Sequence, residues 1–168
     1  MGPDGIIYPG TCRSNIANTP KPNTVLRLNM RAAVKLCPQP LSFVETGAGP
    51  NGQTGDIRVT PEMLVDQIGD IVIARRDMGT SYHLSVVVDD AAQGITDVVR
   101  GQDLFDATAI HVLLQALLGL PQPQYHHHDL IRDDAGKRLA KRDDARAIST
   151  YRDAGLTPQQ VRGLIGLA

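Results

Sequence analysis

The stretch that most limits the fold is residues 95–131. Ile95-Thr96-Asp97-Val98-Val99 is rich in β-branched residues and reads as a buried strand that stops at Arg100-Gly101. Beyond it, Ile110, Leu113, Leu114 and Leu117 recur at i, i+3, i+4 and i+7, one face of a helix. Asp106 or Thr108 is placed to cap that helix, and Gly119 and Pro121 to end it. A second strand is expected over residues 124–131. Strand, helix and strand at this spacing require a right-handed crossover onto a parallel sheet, so the chain is of the α/β class. Ligands of such sheets bind beyond the carboxyl ends of the strands, and Arg100 sits at one of these ends. The polar loop Asp133-Asp134-Ala135-Gly136 and the tract Lys137-Arg138-Leu139-Ala140-Lys141-Arg142 follow the other. Several cations are therefore expected beside a crevice where an anionic nucleotide or substrate can sit.

The remaining elements are shorter. Gly2-Pro3-Asp4-Gly5 reads as a turn and Ile6-Ile7-Tyr8 as a short strand. Val25-Leu26-Arg27-Leu28 alternates weakly as a strand, with a helical piece around residues 31–36. The glycine-rich run 46–55 reads as a flexible surface insertion, because no phosphate-loop lysine accompanies its glycines. Asp70-Ile71-Val72-Ile73-Ala74-Arg75-Arg76 reads as a strand, and Asp77-Met78-Gly79-Thr80 as a hairpin-type turn. Residues 146–154 form a helix stopped by Gly155, and Thr157-Pro158-Gln159-Gln160 opens another.

Composition excludes several classes. A net charge of −1 argues against a protein held to nucleic acid by gross charge, although a local basic patch can still bind tRNA. Trp is absent and aromatic residues make up 4% of the chain, too few for stacking platforms along a single strand. Two cysteines, Cys12 and Cys37, do not make a disulfide scaffold. With no signal peptide and no long apolar span, a cytoplasmic protein without membrane partners is expected.

The middle of the chain carries a family resemblance. Arg138-Leu139-Ala140-Lys141-Arg142 resembles the KMSKS-type loop of class I aminoacyl-tRNA synthetases. Ser81-Tyr82-His83-Leu84, Val88-Asp89-Asp90, Gln93-Gly94-Ile95-Thr96 and Val99-Arg100-Gly101 resemble the glutamyl branch of that class. Within the branch, the similarity is greatest to the glutamyl-queuosine tRNA(Asp) synthetases, short paralogues without an anticodon-binding domain. The resemblance runs from Tyr8-Pro9-Gly10-Thr11-Cys12-Arg13 to the final helical segment. It implies a Rossmann-like catalytic domain, here incomplete. Residues 1–66 would be part of an inserted, zinc-site-bearing subdomain, 67–132 the second half of the Rossmann-like fold, and 133–168 the KMSKS-like loop with C-terminal helices. It also decides the segment 82–90, whose valines favour a strand by propensity, as a helix.

The implied chemistry is activation of glutamate by ATP with Mg2+, followed by transfer to the queuosine base of tRNA(Asp). A carboxylate attacks the α-phosphate of ATP and pyrophosphate leaves, so a lysine on a mobile loop suits the developing charge. Lys141 takes that catalytic role, and the tract Arg138, Leu139, Ala140, Lys141 and Arg142 the ATP contacts. Ala140 replaces the serine usual in the motif, losing a hydroxyl contact while keeping the lysine. Taken alone, the tract is a solvated basic turn balanced by Asp133, Asp134, Asp143 and Asp144. Tyr82 and Arg100 match residues that contact the amino acid. Arg100 can pair bidentately with a carboxylate, and the Tyr82 hydroxyl can orient a polar group. By physics alone they read as a core-edge tyrosine and a salt-bridged strand end.

Other candidates are weaker. Tyr8 and Cys12 match half of a family zinc site whose Cys-x-Cys pair has no counterpart here, and two ligands fall short of a structural site. Cys37, before Pro38, reads as a buried free thiol. His126-His127-His128 cannot share one ion, since neighbours on a strand face alternately; the strand is expected beside the nucleotide pocket, with His127 or its neighbours touching ATP. Asp89 and Asp90 could be an acid/base or magnesium pair, but an ionic or capping role is expected. No HIGH-type motif is found, so the chain reads as the C-terminal portion of a catalytic domain, monomeric and with little or no activity in isolation. The alternatives are a fragment of a glutamyl-tRNA synthetase charging tRNA(Glu), or a non-catalytic nucleotide- or tRNA-binding remnant.

Overall fold

The computed structural model describes all residues except 1, 4, 14–22, 133–134, 140–146 and 168. The described chain divides into two compact units, Met1–His128 and Asp129–Ala168.

The first unit is built on a four-stranded sheet of order β3-β2-β6-β5. Its strands are β2 (Leu41–Glu45), β3 (Gly55–Val59), β5 (Asp97–Gly101) and β6 (Gln124–His128). β2, β6 and β5 run parallel, and β3 closes one edge antiparallel to β2. A small antiparallel pair, β1 (Leu26–Arg27) with β4 (Val72–Ala74), lies outside this sheet.

Strand, helix and strand fall as the periodicity predicts, with three corrections. β5 begins at Asp97, two residues later than expected, and it is an edge strand with Val99 67% exposed, so it is only partly buried. Helix α3 (Thr108–Leu118) is capped by neither Asp106 nor Thr108; a 3-10 turn, Gln102–Leu104, leads into it and Ala107 occupies the cap position. The Thr108 hydroxyl is engaged in the interior instead. β6 ends at His128, short of residue 131. Gly119 ends α3 in the left-handed conformation, φ 63°, as its C-terminal position requires.

Segment 82–90 is helical: α2 spans Tyr82–Gln93, capped by the Ser81 side chain and stopped by Gly94. The turn at 77–80 therefore leads from β4 into a helix and is not a hairpin. Asp70 stands outside β4 because its carboxylate accepts from the Met30 amide and from Arg13 Nε, both at 2.9 Å, pinning the start of α1 (Met30–Leu36). Residues 6–8 form no strand; the opening residues instead make a bridge between Gly2 and Gly5.

β2 and β3 have no counterpart in the sequence reading, and the run between them is not a free insertion. Thr46 and Ala48 continue the pairing of β2 along β6, donating to the carbonyls of Tyr125 and His127. A Cβ on Gly47 would overlap the His127 carbonyl oxygen and lie 2.9 Å from its nitrogen, so glycine is needed for this close approach.

Ile110, Leu113, Leu114, Leu64, Met30, Val59 and Phe43 form the core beneath the sheet, with Phe43 edge-on to both Phe105 and Tyr125. Cys37 is buried there, its thiol 3.9 Å from the Leu113 carbonyl, and burial pushes that thiol up from its ordinary value.

In the second unit, an isolated bridge joins Arg132 to Arg138, and the Leu139 amide donates to the Ile131 carbonyl. Gly136, φ 76°, makes the turn between them. α4 (Ile148–Asp153) is followed by Gly155, φ 81°. α5 (Pro158–Gly163) opens with a capping box in which Thr157 and Gln160 each bond the other's backbone.

Candidate active site

The parallel strands end together, and their carboxyl ends carry Glu45 on β2, Arg100 on β5 and His127 on β6. Register pairs Glu45 with Tyr125, Val98 with Tyr125 and Arg100 with His127. Paired residues share a face and alternate residues do too, so all of these point to the face that carries α3. There α3 supplies Thr108, His111 and Gln115, and α2 supplies His83.

Arg100 is the centre of this group. Its Nε donates to His127 Nε2 at 3.0 Å, Nη1 to His111 Nδ1 at 3.1 Å and Nη2 to Thr108 Oγ1 at 2.7 Å. A guanidinium has only donors, so each partner must offer a lone pair, and this fixes the ring protons. His127 Nδ1 carries its hydrogen and gives it to the Glu45 carboxylate. His111 carries its hydrogen on Nε2, which meets His83 Nδ1 at 2.9 Å. The other Glu45 oxygen accepts from the Gly47 and His127 amides, both at 2.8 Å.

The electrostatics follow from these contacts. Burial alone would raise Glu45, but the His127 amide, the His127 ring and the Gly47 amide outweigh it and hold the carboxyl below its ordinary value. Burial lowers His127, and Arg100 adds to that, against the raising pull of Glu45. Arg100 is lowered from its ordinary value by burial, against the opposing pull of Tyr125, Tyr82 and Asp90. Asp90 is raised, first by burial and then by Asp89, while Arg100 opposes.

Tyr82 and Arg100, both expected from the resemblance to contact the amino acid, meet on one cavity of about 330 Å3 with Val86, Asp90, His111 and Tyr125. Tyr82, Val86 and Asp90 are spaced at four residues on α2, one stripe of that helix. Tyr82 is 53% exposed and also borders a second cavity of about 390 Å3 on its other side, with His83, Arg75 and Asp70.

The histidine run alternates as expected: His126 and His128 are exposed and His127 is 1% exposed. That corrects the ATP contact expected of His127, whose ring is enclosed by Glu45, Phe105 and Arg100. Glu45 was missed because a lone acid ending an apolar run looks like a surface residue. The available signal was its inward register with Leu41 and Phe43.

The Tyr8 hydroxyl accepts from the Cys12 amide at 2.7 Å, and Arg27 lies 4.6 Å over its ring. Among the described residues, no group of three or more His, Cys, Asp or Glu side chains is placed to hold a metal ion. Tyr8 and Cys12 by themselves therefore do not make a zinc site. In the second unit, Arg138 is bridged to Arg132 and the Leu139 amide bonds the Ile131 carbonyl, whereas Ala140, Lys141 and Arg142 lie outside the described residues. No helix of the described residues is long and apolar enough to cross a membrane.

Comparison with known proteins bears on the same residues. The chain is 58% identical over 170 residues to a glutamyl-Q tRNA(Asp) synthetase of Rhodobacter capsulatus, covering 99% of this chain and 59% of that protein. It is 38% identical to the protein of that name from Ralstonia nicotianae, covering 95% of this chain and 46% of the relative. A third, from Xanthomonas oryzae, is 46% identical over 124 residues, 74% of this chain and 40% of the relative. The chain thus spans about three fifths or less of the length of these relatives. Residues 51–168, which include Tyr82, Arg100, His127 and the basic tract, match the family described as tRNA synthetases class I (E and Q), catalytic domain. A mixed sheet with a parallel core, bearing an arginine at the carboxyl end of one strand and followed by that tract, is thus accounted for: the chain belongs to the class I tRNA synthetase family of the E and Q type.

Proposed function

We propose that this chain is part of an enzyme that activates glutamate with ATP and transfers it to the queuosine base of tRNA(Asp). The observation that carries the reading is Arg100, a half-buried cation on a cavity it shares with the Tyr82 side chain. His127 Nε2 and Thr108 Oγ1 lie 3.4 Å apart and take Nε and Nη2, one edge of the guanidinium. A substrate carboxylate is then met by the terminal nitrogens, and the Tyr82 hydroxyl orients it. The relatives' names support glutamate and tRNA(Asp) as the partners.

In the reaction, the α-carboxylate of glutamate attacks the α-phosphorus of ATP and pyrophosphate departs, leaving an acyl adenylate. Lys141 stabilises the charge that develops on the phosphates, and 138–142 holds the nucleotide. Mg2+ carried by the ATP phosphates would supply neutralising charge there. An acceptor hydroxyl of the tRNA nucleoside then displaces AMP. Domain boundaries at 66/67 and 132/133, action as a monomer and a cytoplasmic location belong to the same proposal.

The test is transfer of labelled glutamate by the natural gene product to three acceptors: queuosine-containing tRNA(Asp), the same tRNA lacking queuosine, and tRNA(Glu). Label in the first alone is expected. Label in tRNA(Glu) alone would replace this reading by tRNA(Glu) charging, and label in none of the three would leave a binding module.

A further inference from the structure

We propose that Glu45 and His127 are positioning residues for Arg100: Glu45 fixes the proton of His127 on Nδ1, and the Nε2 lone pair this leaves holds the guanidinium in its ligand-binding orientation. The proposal rests on the reading of Arg100 as the residue that binds the substrate carboxylate.

Neither residue can reach a ligand itself. Glu45 and His127 are each 1% exposed and neither lines the Arg100 cavity. Their effect on binding must pass through Arg100. All of the Glu45 acceptor capacity that the fold uses faces N–H groups: the Gly47 amide, the His127 amide and the His127 ring. The Gly47 and His127 amides are rigid donors on the backbone, so they anchor one oxygen and aim the other at Nδ1. A carboxylate there can only accept, so Nδ1 must donate. In a neutral imidazole the second nitrogen is then an acceptor, and Nε2 faces Arg100 Nε at 3.0 Å. With the proton on Nε2 instead, that hydrogen would meet the Arg100 N–H head on, donor against donor. The charge at position 45 thus reaches Arg100 as a choice of tautomer, across one ring.

This gives a sharp expectation for an uncharged side chain of the same shape. In Glu45→Gln the amide oxygen still accepts from the two backbone amides, which turns its NH2 towards Nδ1. Nδ1 must then accept, the proton moves to Nε2, and the contact with Arg100 is lost. His127→Gln, in contrast, offers Arg100 an amide oxygen near the former Nε2 position without any tautomer to set. His127→Leu offers no acceptor.

The experiment uses the natural gene product, labelled with 15N. Long-range 1H–15N spectra report the histidine ring protons, and calorimetry reports glutamate and ATP affinity separately. His127 is expected as the Nδ1–H form in the wild type and the Nε2–H form in Glu45→Gln. Glutamate affinity is expected to fall about tenfold in Glu45→Gln and His127→Leu, a loss of about 1.4 kcal/mol. ATP affinity stays within about twofold in both, and His127→Gln retains glutamate affinity within about threefold, a split that general loss of structure would not produce. A wild-type His127 with its proton on Nε2 would overturn the proposal, and so would a Glu45→Gln variant that binds glutamate as well as wild type. If Glu45→Gln does not fold, equal glutamate binding by His127→Leu and wild type overturns it. A wild type that binds no glutamate at all overturns the reading of Arg100 itself, whatever its tautomers.

Discussion

Replacing Arg100 by methionine keeps much of the side chain's length and apolar stem but removes every N–H it donates. Three acceptors then lose a partner: His127 Nε2, His111 Nδ1 and Thr108 Oγ1. An acceptor left unsatisfied in the interior costs about 1–3 kcal/mol, and the cavity beside Arg100 lets water recover part of this, so the variant should lose about 2–5 kcal/mol at about pH 8. The loss should depend on pH in a particular direction. In the wild type, His127 is lowered by burial and by Arg100, so below the ordinary histidine value of about 6.5 the unfolded chain binds more protons and stability falls with acid. Without Arg100 one of the influences that lower His127 is gone, and an imidazolium beside the Glu45 carboxylate supplies the missing cation. The gap between variant and wild type should therefore narrow by about 1–2 kcal/mol between about pH 8 and pH 5.5, within the limit of about 1.4 kcal/mol per pH unit for one proton. Urea unfolding followed by far-UV circular dichroism at the two pH values measures it. A gap that stays constant or widens on acidification would refute the assignment of His127 as the neutral partner of Arg100.

Three further outcomes are expected. Gly47→Ala drives a Cβ into the His127 backbone and should cost about 1–3 kcal/mol in the same unfolding assay, with the His127 ring resonances displaced. Leu113→Ala, at a fully buried position of α3, should cost about 2–5 kcal/mol, whereas Leu118→Ala, half exposed on the same helix, should cost well under about 1 kcal/mol. Lys141→Ala should lower glutamate-dependent ATP–pyrophosphate exchange by about 10²–10³-fold with little change in glutamate affinity; an unchanged exchange rate would remove Lys141 from the reaction.

What was legible in the sequence is the part governed by local rules. The 3.6-residue spacing of Ile110, Leu113, Leu114 and Leu117 gave α3, and Gly119 its end, because burial and left-handed backbone are properties of single positions. Tyr82 and Arg100 were found through the resemblance, and the structure brings them onto one cavity. The strands flanking 46–54 were not legible. β2 alternates only over Leu41-Ser42-Phe43 before Val44 and an inward-facing glutamate, and β3 only over Asp56-Ile57-Arg58-Val59, so each alternation is too short to mark a strand by itself. The partners of Arg100 were hidden for a related reason. Its contacts His111 and His127 lie 11 and 27 residues from it, and Glu45, which reaches it only through His127, lies 55 residues away; only the sheet register and the α3 packing bring them together. His127 was further disguised by its two exposed neighbours, which drew attention to metal and nucleotide chemistry.

The placement of the two cysteines makes the fold readable by thiol chemistry. Cys12 is exposed and Cys37 is sealed between α1 and α3, where burial also disfavours the reactive thiolate. A bulky maleimide should therefore add once to the native chain and a second time only when α1 lifts from α3. The rate of that second addition is a clock for the opening of the helical layer beneath the arginine site, readable by mass without any substrate present.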